Sequence, residues 1–200
     1  KSVEKECLMI HGGASRSDSI GQQCATIATA AGSRLYRLMV DCGMEFQREE
    51  EIGGVGPAPD FSLLNGEKVD GVFLTHYHFD HAGAVAVLRR RQLLADDAQI
   101  NGSPQTLAIL PWVLQDGLKH TPQFYSFDAA NILSSRRKII EKPGEFEILP
   151  GLKVFIPQMG HAPGNGGIVI PLASGRKGFI TSDFCLHNQP ITKGAQLPSE

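Results

Sequence analysis

The stretch Thr75-His76-Tyr77-His78-Phe79-Asp80-His81 decides the fold of this 200-residue chain. Three histidines and one carboxylate fall within positions 76 to 81. Because side chains two positions apart on an extended backbone point the same way, His76 and His78 share one side, and Asp80 continues it. This spacing differs from the i, i+4 histidine pair of a zinc-binding helix. Imidazole and carboxylate groups suit zinc, iron or manganese, so the stretch predicts a metal site.

The flanking segments predict that these ligands stand at the end of a strand. Residues 69–74 form a short, apolar, β-branched run that is typical of a buried strand. Residues 82–94 have a helix-forming composition and predict a helix. The alternative is a histidine-rich surface loop, which the position between a buried strand and a helix disfavours.

The composition fits one globular domain over residues 1–200, with 42% hydrophobic residues. No apolar run approaches the ~18 residues of a membrane span, and the first residues do not form a signal peptide. A cytoplasmic location is therefore expected. The net charge of −2 neither indicates nor excludes a nucleic-acid partner, because a metal centre brings its own positive charge to a phosphate.

The four cysteines are scattered and contain no CxxC pair: Cys7, Cys24, Cys42 and Cys185. Buried free thiols in a reducing cytoplasm are the prediction. A metal-binding role for Cys42 or Cys185 stays open, because both lie near candidate site residues in the sequence.

The remaining segments predict a mixed α/β chain. Strands are expected at 6–10, 24–29, 35–40, 98–101, 145–149, 152–157, 167–172 and 177–181. Asp60 is expected to cap a short helix at 61–64, and Ser103 and Pro104 to open a helix to about Leu118 that Pro111 breaks or kinks. A further helix is expected from Asp128 to Lys138, with its last basic residues complementing the helix dipole. Residues 44–58 read as a solvated acidic loop.

Further ligand-type residues stand just past predicted strand ends. Asp41 follows the third strand, His161 follows the strand at 152–157, and Asp183 follows the strand at 177–181. Each is unremarkable alone, but together they repeat the placement of the first motif. His11 also follows a strand, and it is interpreted as a polar loop residue.

The order of these motifs resembles the metallo-β-lactamase fold superfamily, an αββα sandwich that holds one or two metals at one edge. Finer features are similar to the β-CASP group of RNA-processing nucleases. The matching segments are 59–64, Asp116 before the His120 loop, 160–164 and 181–184. Ser182 departs from the family pattern, which usually has glycine there.

The resemblance implies a role for each ligand-type residue. His76, His78 and His161 would bind a first metal, Asp80 and His81 a second, and Asp183 would bridge both. Asp41 would orient the motif loop or a ligand, and Asp80 would also orient the attacking hydroxide and so count as catalytic. Two zinc ions are expected in the complete enzyme, with iron or manganese as alternatives.

The leading hypothesis is a metal-dependent phosphodiesterase that cleaves RNA. A small-molecule hydrolase of the same fold, acting on a thioester, lactone or β-lactam, is the alternative, and a non-catalytic nuclease homologue is the third possibility. RNA is the expected partner, together with a possible homo-oligomer and no membrane.

The resemblance also implies that residues 1–200 are the N-terminal part of a metallo-β-lactamase-like domain. The rest of that domain and any inserted β-CASP domain would lie outside it. The family's last metal-site histidine and its catalytic histidine would then be absent. His187 is the one downstream histidine that could substitute.

Overall fold

The computed structural model describes residues 6–12, 21–45, 58–120, 136–141 and 143–198. Two β-sheets pack against each other. The six-stranded sheet has the order β1-β2-β3-β4-β5-β6 and consists of β1 (Cys7–Ile10), β2 (Ala25–Ala31), β3 (Arg34–Val40), β4 (Val69–Phe73), β5 (Leu94–Gly102) and β6 (Arg137–Ile139). The four-stranded sheet has the order β10-β9-β8-β7 and consists of β7 (Gly144–Leu149), β8 (Leu152–Ile156), β9 (Ile168–Pro171) and β10 (Lys177–Ile180).

Strand direction in the first sheet creates one functional edge. β1, β2 and β3 are antiparallel, whereas β3, β4, β5 and β6 run parallel to one another. Val40, Phe73 and Asn101 are aligned across β3, β4 and β5. Because parallel strands end at the same side, the segments that follow these residues meet at one edge of the sheet.

The space between the sheets is filled by side chains that alternate along each strand. Leu38 and Val40 of β3 face the second sheet, where they meet residues such as Ile156 and Ile168. Met39, between them in sequence, faces the opposite side. This period of two is the strand pattern, and it gives the first sheet one face toward the second sheet and one toward the helices.

Helices cover the other face of the first sheet. They are α1 (Phe79–Ala82), α2 (Val85–Arg90) and α3 (Pro104–His120), with a 3₁₀ helix at Phe61–Leu64. Asp60 caps the 3₁₀ helix as predicted, accepting a 2.9 Å hydrogen bond from the backbone N–H of Ser62. α3 begins at Pro104 as predicted and runs through Pro111 without a break.

The single helix predicted for residues 82–94 is wrong. The chain forms α1, a short turn and α2, and then Gln92 adopts a φ of +58° that ends the helical path. β5 begins at Leu94 because that residue pairs with Val69 of β4 and is buried in the core. Sheet pairing has overridden the helix-forming composition of this segment.

Two further expectations fail in part. The helix predicted from Asp128 lies outside the described residues up to position 135, but Arg137–Ile139 form β6, parallel to β5. The basic residues at 136–138 therefore lie at the edge strand of the six-stranded sheet and not at the end of a helix. Of the predicted solvated loop 44–58, positions 46–57 lie outside the described residues, whereas Met44 and Glu45 are buried.

Helices, sheet and sheet follow one another in that order, so the described residues form three of the four layers of the predicted αββα sandwich. On the outer face of the second sheet, Phe155, Val169 and Phe179 form a cross-strand row. Phe155 and Phe179 are 37% and 38% exposed, and no helix among the described residues covers them. In the same part of the chain, no helix has the length and apolar run that a membrane span requires.

Candidate metal centre

Three histidines from two distant parts of the chain meet at the functional edge. The ring centroids of His76 and His78 are 4.5 Å apart, and those of His76 and His161 are 5.1 Å apart. One ring nitrogen of each of the three lies within 4.8 Å of the others, so the group could hold one metal ion. The expected convergence of His161 on the first motif is therefore present.

A second group stands directly beside the first and shares His76. It consists of His76, His81 and Asp183, again with ligand-type atoms within 4.8 Å of one another. Oδ2 of Asp183 is 3.7 Å from Nε2 of His81 and 3.6 Å from Nε2 of His161. The Asp183 carboxylate thus belongs to the second group and also contacts His161 of the first.

Asp80 lies beside the second group and belongs to neither. Its Oδ2 is 3.6 Å from Nε2 of His81. The extended backbone ends at His78 and α1 begins at Phe79, so Asp80 and His81 stand on a helical turn. The alternating extended geometry predicted through Asp80 is therefore wrong beyond His78.

The backbone after β3 packs directly on this helical turn. Cys42 donates a backbone hydrogen bond of 2.7 Å to the carbonyl of His81, and Met44 donates one of 3.1 Å to Phe79. Asp41 has a φ of +56°, which turns the chain toward the motif at the end of β3. The loop from Asp41 onward therefore fixes the position of the His81 backbone.

The loops that carry His161 and Asp183 are tied to the same edge by hydrogen bonds. Gly166 donates a 2.9 Å backbone bond to Thr75, and Cys185 donates one of 2.9 Å to Met159. The side-chain oxygen of Asn165 accepts a 3.2 Å bond from the backbone N–H of His161.

The carboxylate of Asp41 sets the proton positions of the buried histidines. It accepts from Nδ1 of His81 at 2.8 Å and from the Thr75 hydroxyl at 2.8 Å. Because that hydroxyl gives its single hydrogen to Asp41, Nδ1 of His76, 3.2 Å away, must be the donor of the bond between them. Because both Nδ1 atoms carry hydrogens, each ring presents the lone pair of Nε2 to the cluster when it is in its neutral, metal-binding form.

The donor set fits a metal ion. Nε2 of His76 and Nε2 of His81 are buried, and neither has a hydrogen-bond partner among the described residues. Buried polar atoms without partners are rare in folded proteins, and they are expected where an ion binds. Imidazole nitrogens with a nearby carboxylate are the ligands of zinc, iron or manganese sites.

The electrostatics of the site agree with a cation-binding role. Burial, together with the charges of the neighbouring imidazoles, lowers the pKa of His76 to about 2. Burial also lowers the pKa of His78. Both rings are therefore neutral at physiological pH, which is the form that coordinates metals.

His81 behaves differently because carboxylates surround it. Burial alone would lower its pKa, but the charge of Asp41 and the contact with Asp183 outweigh burial and raise the pKa to about 10. The contact with His81 in turn lowers the pKa of Asp183 to about 2. Burial raises the pKa of Asp80. In the metal-free protein, the His81 proton supplies the positive charge that a metal would bring.

Other candidates from the sequence lie outside both groups. His11 is buried, not a polar surface residue, and it bonds to the Thr26 hydroxyl at 2.9 Å and the Asp60 carbonyl at 3.1 Å. His187 is exposed. Cys42 is buried with its thiol pKa raised by burial, and neither Cys42 nor Cys185 belongs to a ligand group.

The free thiols only partly follow the prediction of buried cysteines. Cys24 and Cys42 are buried, whereas Cys7 is exposed and Cys185 is partly exposed. Thr75 and Ser182, in contrast, contact the ligand groups and had no predicted role. Adjacency to His76 and Asp183 in the sequence was the only signal for them.

A metal-ligand cluster at the edge of a two-sheet sandwich defines a class of metal-binding α/β proteins. The family described as "Metallo-beta-lactamase superfamily" matches residues 34–176, which is most of the chain. The chain belongs to this superfamily. The matched region contains β3 to β9 and every candidate ligand except Asp183.

Two curated relatives of this chain carry ribonuclease names. "Ribonuclease TTHA0252" of Thermus thermophilus is 30% identical over 84% of this chain and 36% of its own length. "Probable RNase MJ4" of Methanocaldococcus jannaschii is 26% identical over 89% of this chain and 39% of its own length. The chain thus spans less than half of the length of these relatives. Their names agree with the resemblance to β-CASP nucleases, which is confirmed at this modest identity.

Among solved structures, an N-acyl homoserine lactone hydrolase is similar at a TM-score of 0.49 and 17% identity. The similarity covers 90% of this chain and 76% of that one. Likeness at this level carries no inference about function.

Proposed function

We propose that this protein is a metal-dependent phosphodiesterase that cleaves RNA. The observation that carries the proposal is the pair of adjacent ligand groups, which share His76 and are both contacted by Asp183, in a superfamily member whose curated relatives are named ribonucleases. His76, His78 and His161 would hold one ion, and His81, Asp80 and Asp183 would hold a second. Zinc is the proposed metal, with iron or manganese as alternatives.

Two divalent ions, when bound, supply a Lewis acid that lowers the pKa of water and neutralises charge on a phosphate. The chain's own residues orient these groups. Asp41 holds His81 through Nδ1, so that Nε2 faces the cluster. Asp80 is mostly buried beside His81, and burial raises its pKa, so its carboxylate is suited to hold and direct the proton of the attacking water.

A cavity of about 320 Å³ lies beside the ligand loops and would receive part of an RNA substrate. It shares Thr75 and Asn165 with those loops, and its lining also includes Gln105, Gln158 and Lys193. The volume lies at the lower end of the range of about 300–1,000 Å³ for small-ligand sites. Amide groups and a lysine suit the base edges and phosphates of single-stranded RNA.

We also propose a cytoplasmic location. The free buried thiols of Cys24 and Cys42 agree with a reducing compartment.

The test uses the full-length protein purified without added metal. Elemental analysis is expected to find zinc, iron or manganese, and single-stranded RNA is expected to be cleaved. Asp80→Asn keeps the size of the side chain and should reduce cleavage at least 10²-fold. Asp97→Asn, in the exposed part of β5, is the matched control and should cleave normally.

Hydrolysis of a thioester or lactone without RNA cleavage would contradict the proposal in favour of a small-molecule hydrolase. Metal binding without turnover of either substrate class would indicate a non-catalytic homologue.

A further inference from the structure

Ser182, the residue before Asp183, holds a backbone conformation that disfavours it. Its φ is +58°, which lies in the left-handed region. There a Cβ atom crowds the backbone, whereas glycine, which has no Cβ, adopts this conformation without penalty. Among the described non-glycine residues, Asp41, Asn65 and Gln92 share this feature. Asn65 and Gln92 follow short helices, whereas Asp41 and Ser182 both contact the ligand groups. Strain of this kind persists where surrounding contacts impose it.

The hydrogen bond that Ser182 makes has a determined direction. Its Oγ lies 2.7 Å from Oγ1 of Thr75, which is 2.8 Å from a carboxylate oxygen of Asp41. Because a carboxylate only accepts, the Thr75 hydroxyl donates its single proton to Asp41. It must then accept from Ser182, and its second lone pair accepts from Nδ1 of His76 at 3.2 Å. The Thr75 hydroxyl is thereby fully satisfied.

We propose that Ser182 is a positioning residue for the Asp183 carboxylate. Its hydroxyl ties the turn that carries Asp183 to the Thr75–Asp41 pair, and Asp41 also orients His81. The distance of 3.7 Å between Asp183 and His81 is then set by one connected network. This inference rests on the proposed metal centre and adds to it a residue outside the ligand set.

Strain and the hydroxyl have separate effects that two substitutions can distinguish. Ser182→Gly removes the hydroxyl and relieves the backbone, whereas Ser182→Ala removes the hydroxyl and keeps the strained φ. In the metal-free full-length protein, S182G is therefore expected to melt at a higher temperature than S182A.

Metal affinity is the measurement that a purely structural role would not change. In a zinc titration against a chelating dye, both variants are expected to bind the second equivalent 10–100-fold more weakly than the wild type, as for other residues that orient metal ligands. This loss is expected in both variants, although only S182G relieves the backbone strain. The affinity for the first zinc equivalent, which three histidines would mainly hold, should change less.

Equal affinity for the second equivalent in all three proteins would overturn the positioning role alone. A loss confined to S182A would also overturn it, because S182G lacks the same hydroxyl and would then bind the second equivalent normally. A wild-type protein that binds no second equivalent would overturn both the positioning role and the proposed two-metal centre.

Discussion

Gly43 and Asp80 are packed backbone against backbone. A Cβ built on Gly43 would stand 1.6 Å from the carbonyl oxygen of Asp80 and 2.0 Å from its carbonyl carbon. The same oxygen accepts a 2.8 Å hydrogen bond from the backbone N–H of Gln23. The loop after β3 can therefore lie on the motif turn only because residue 43 has no side chain.

Replacement of this glycine should be severely destabilising. Gly43→Ala places a methyl group on backbone atoms that cannot move without displacing Asp80, and we expect a loss of about 3 kcal/mol or more in the free energy of unfolding. Denaturant-induced unfolding measures this loss in the free energy of unfolding. Gly178→Ala is the control, because the nearest atom to its added Cβ is 3.9 Å away. Equal stability of the two variants would contradict the packing described for Gly43.

The carboxylate of Asp41 should control metal binding without touching the metal. Asp41→Asn removes the charged acceptor of the His81 Nδ1 hydrogen, so Nε2 of His81 is no longer held toward the cluster. We expect a 10–100-fold loss in metal affinity, measured by competition with a chelating dye. Asp96→Asn controls for the loss of one negative charge, because the Asp96 side chain is 93% exposed. Normal metal affinity in Asp41→Asn would show that Asp41 does not contribute to metal binding.

Metal removal should lower stability. Because an ion bound only by the folded state stabilises it, a strong chelator is expected to reduce the melting temperature, and a metal concentration 100 times Kd corresponds to about 2.7 kcal/mol. The double change His76→Ala with His78→Ala should contain no stoichiometric metal and show no chelator-dependent shift. His187→Ala, at an exposed histidine, is the control. Full metal content in the double variant would contradict the ligand assignment.

His11 should make stability depend on pH below neutrality. Burial lowers its pKa from 6.5, although the bond to the Asp60 carbonyl opposes the shift. The folded state therefore binds this proton more weakly than the unfolded state. His11 imposes no penalty above pH 6.5, and stability falls as pH decreases below that value toward the folded pKa.

Urea unfolding of the metal-loaded protein between pH 5 and 8 measures this contribution. His11→Gln cannot titrate, so its stability should change less over this range than that of the wild type. The same pH dependence in both proteins would show that His11 does not contribute.

Local sequence determined the motif and most of the strands. Alternating or continuous apolar runs identified β1 to β4, the last part of β5 at 98–101, and β7 to β10, because burial against a sheet leaves that pattern in a short segment. The spacing of residues 76 to 81, with ligand-type residues after three other strands, indicated the metal edge. The end of a strand can be recognised from the local sequence, and parallel strands of one sheet end at the same edge.

Other features depended on segments far apart in the chain. The composition of 82–94 favours a helix, but Leu94 pairs with Val69 and begins β5. Arg137–Ile139 become a strand only because the edge of β5 is available to pair with them. Such pairing is a property of two segments, and neither segment alone carries a signal for it.

The arrangement that orients the ligands was also decided by the tertiary structure. Asp41, Thr75 and Ser182 come from three separate segments, and the hydrogen bonds among them exist only where β3, β4 and β10 end at the same edge. A sequence shows which residue types are present and how they are spaced. The direction of a proton, a strained φ and a glycine required by a backbone contact arise only when those segments pack together.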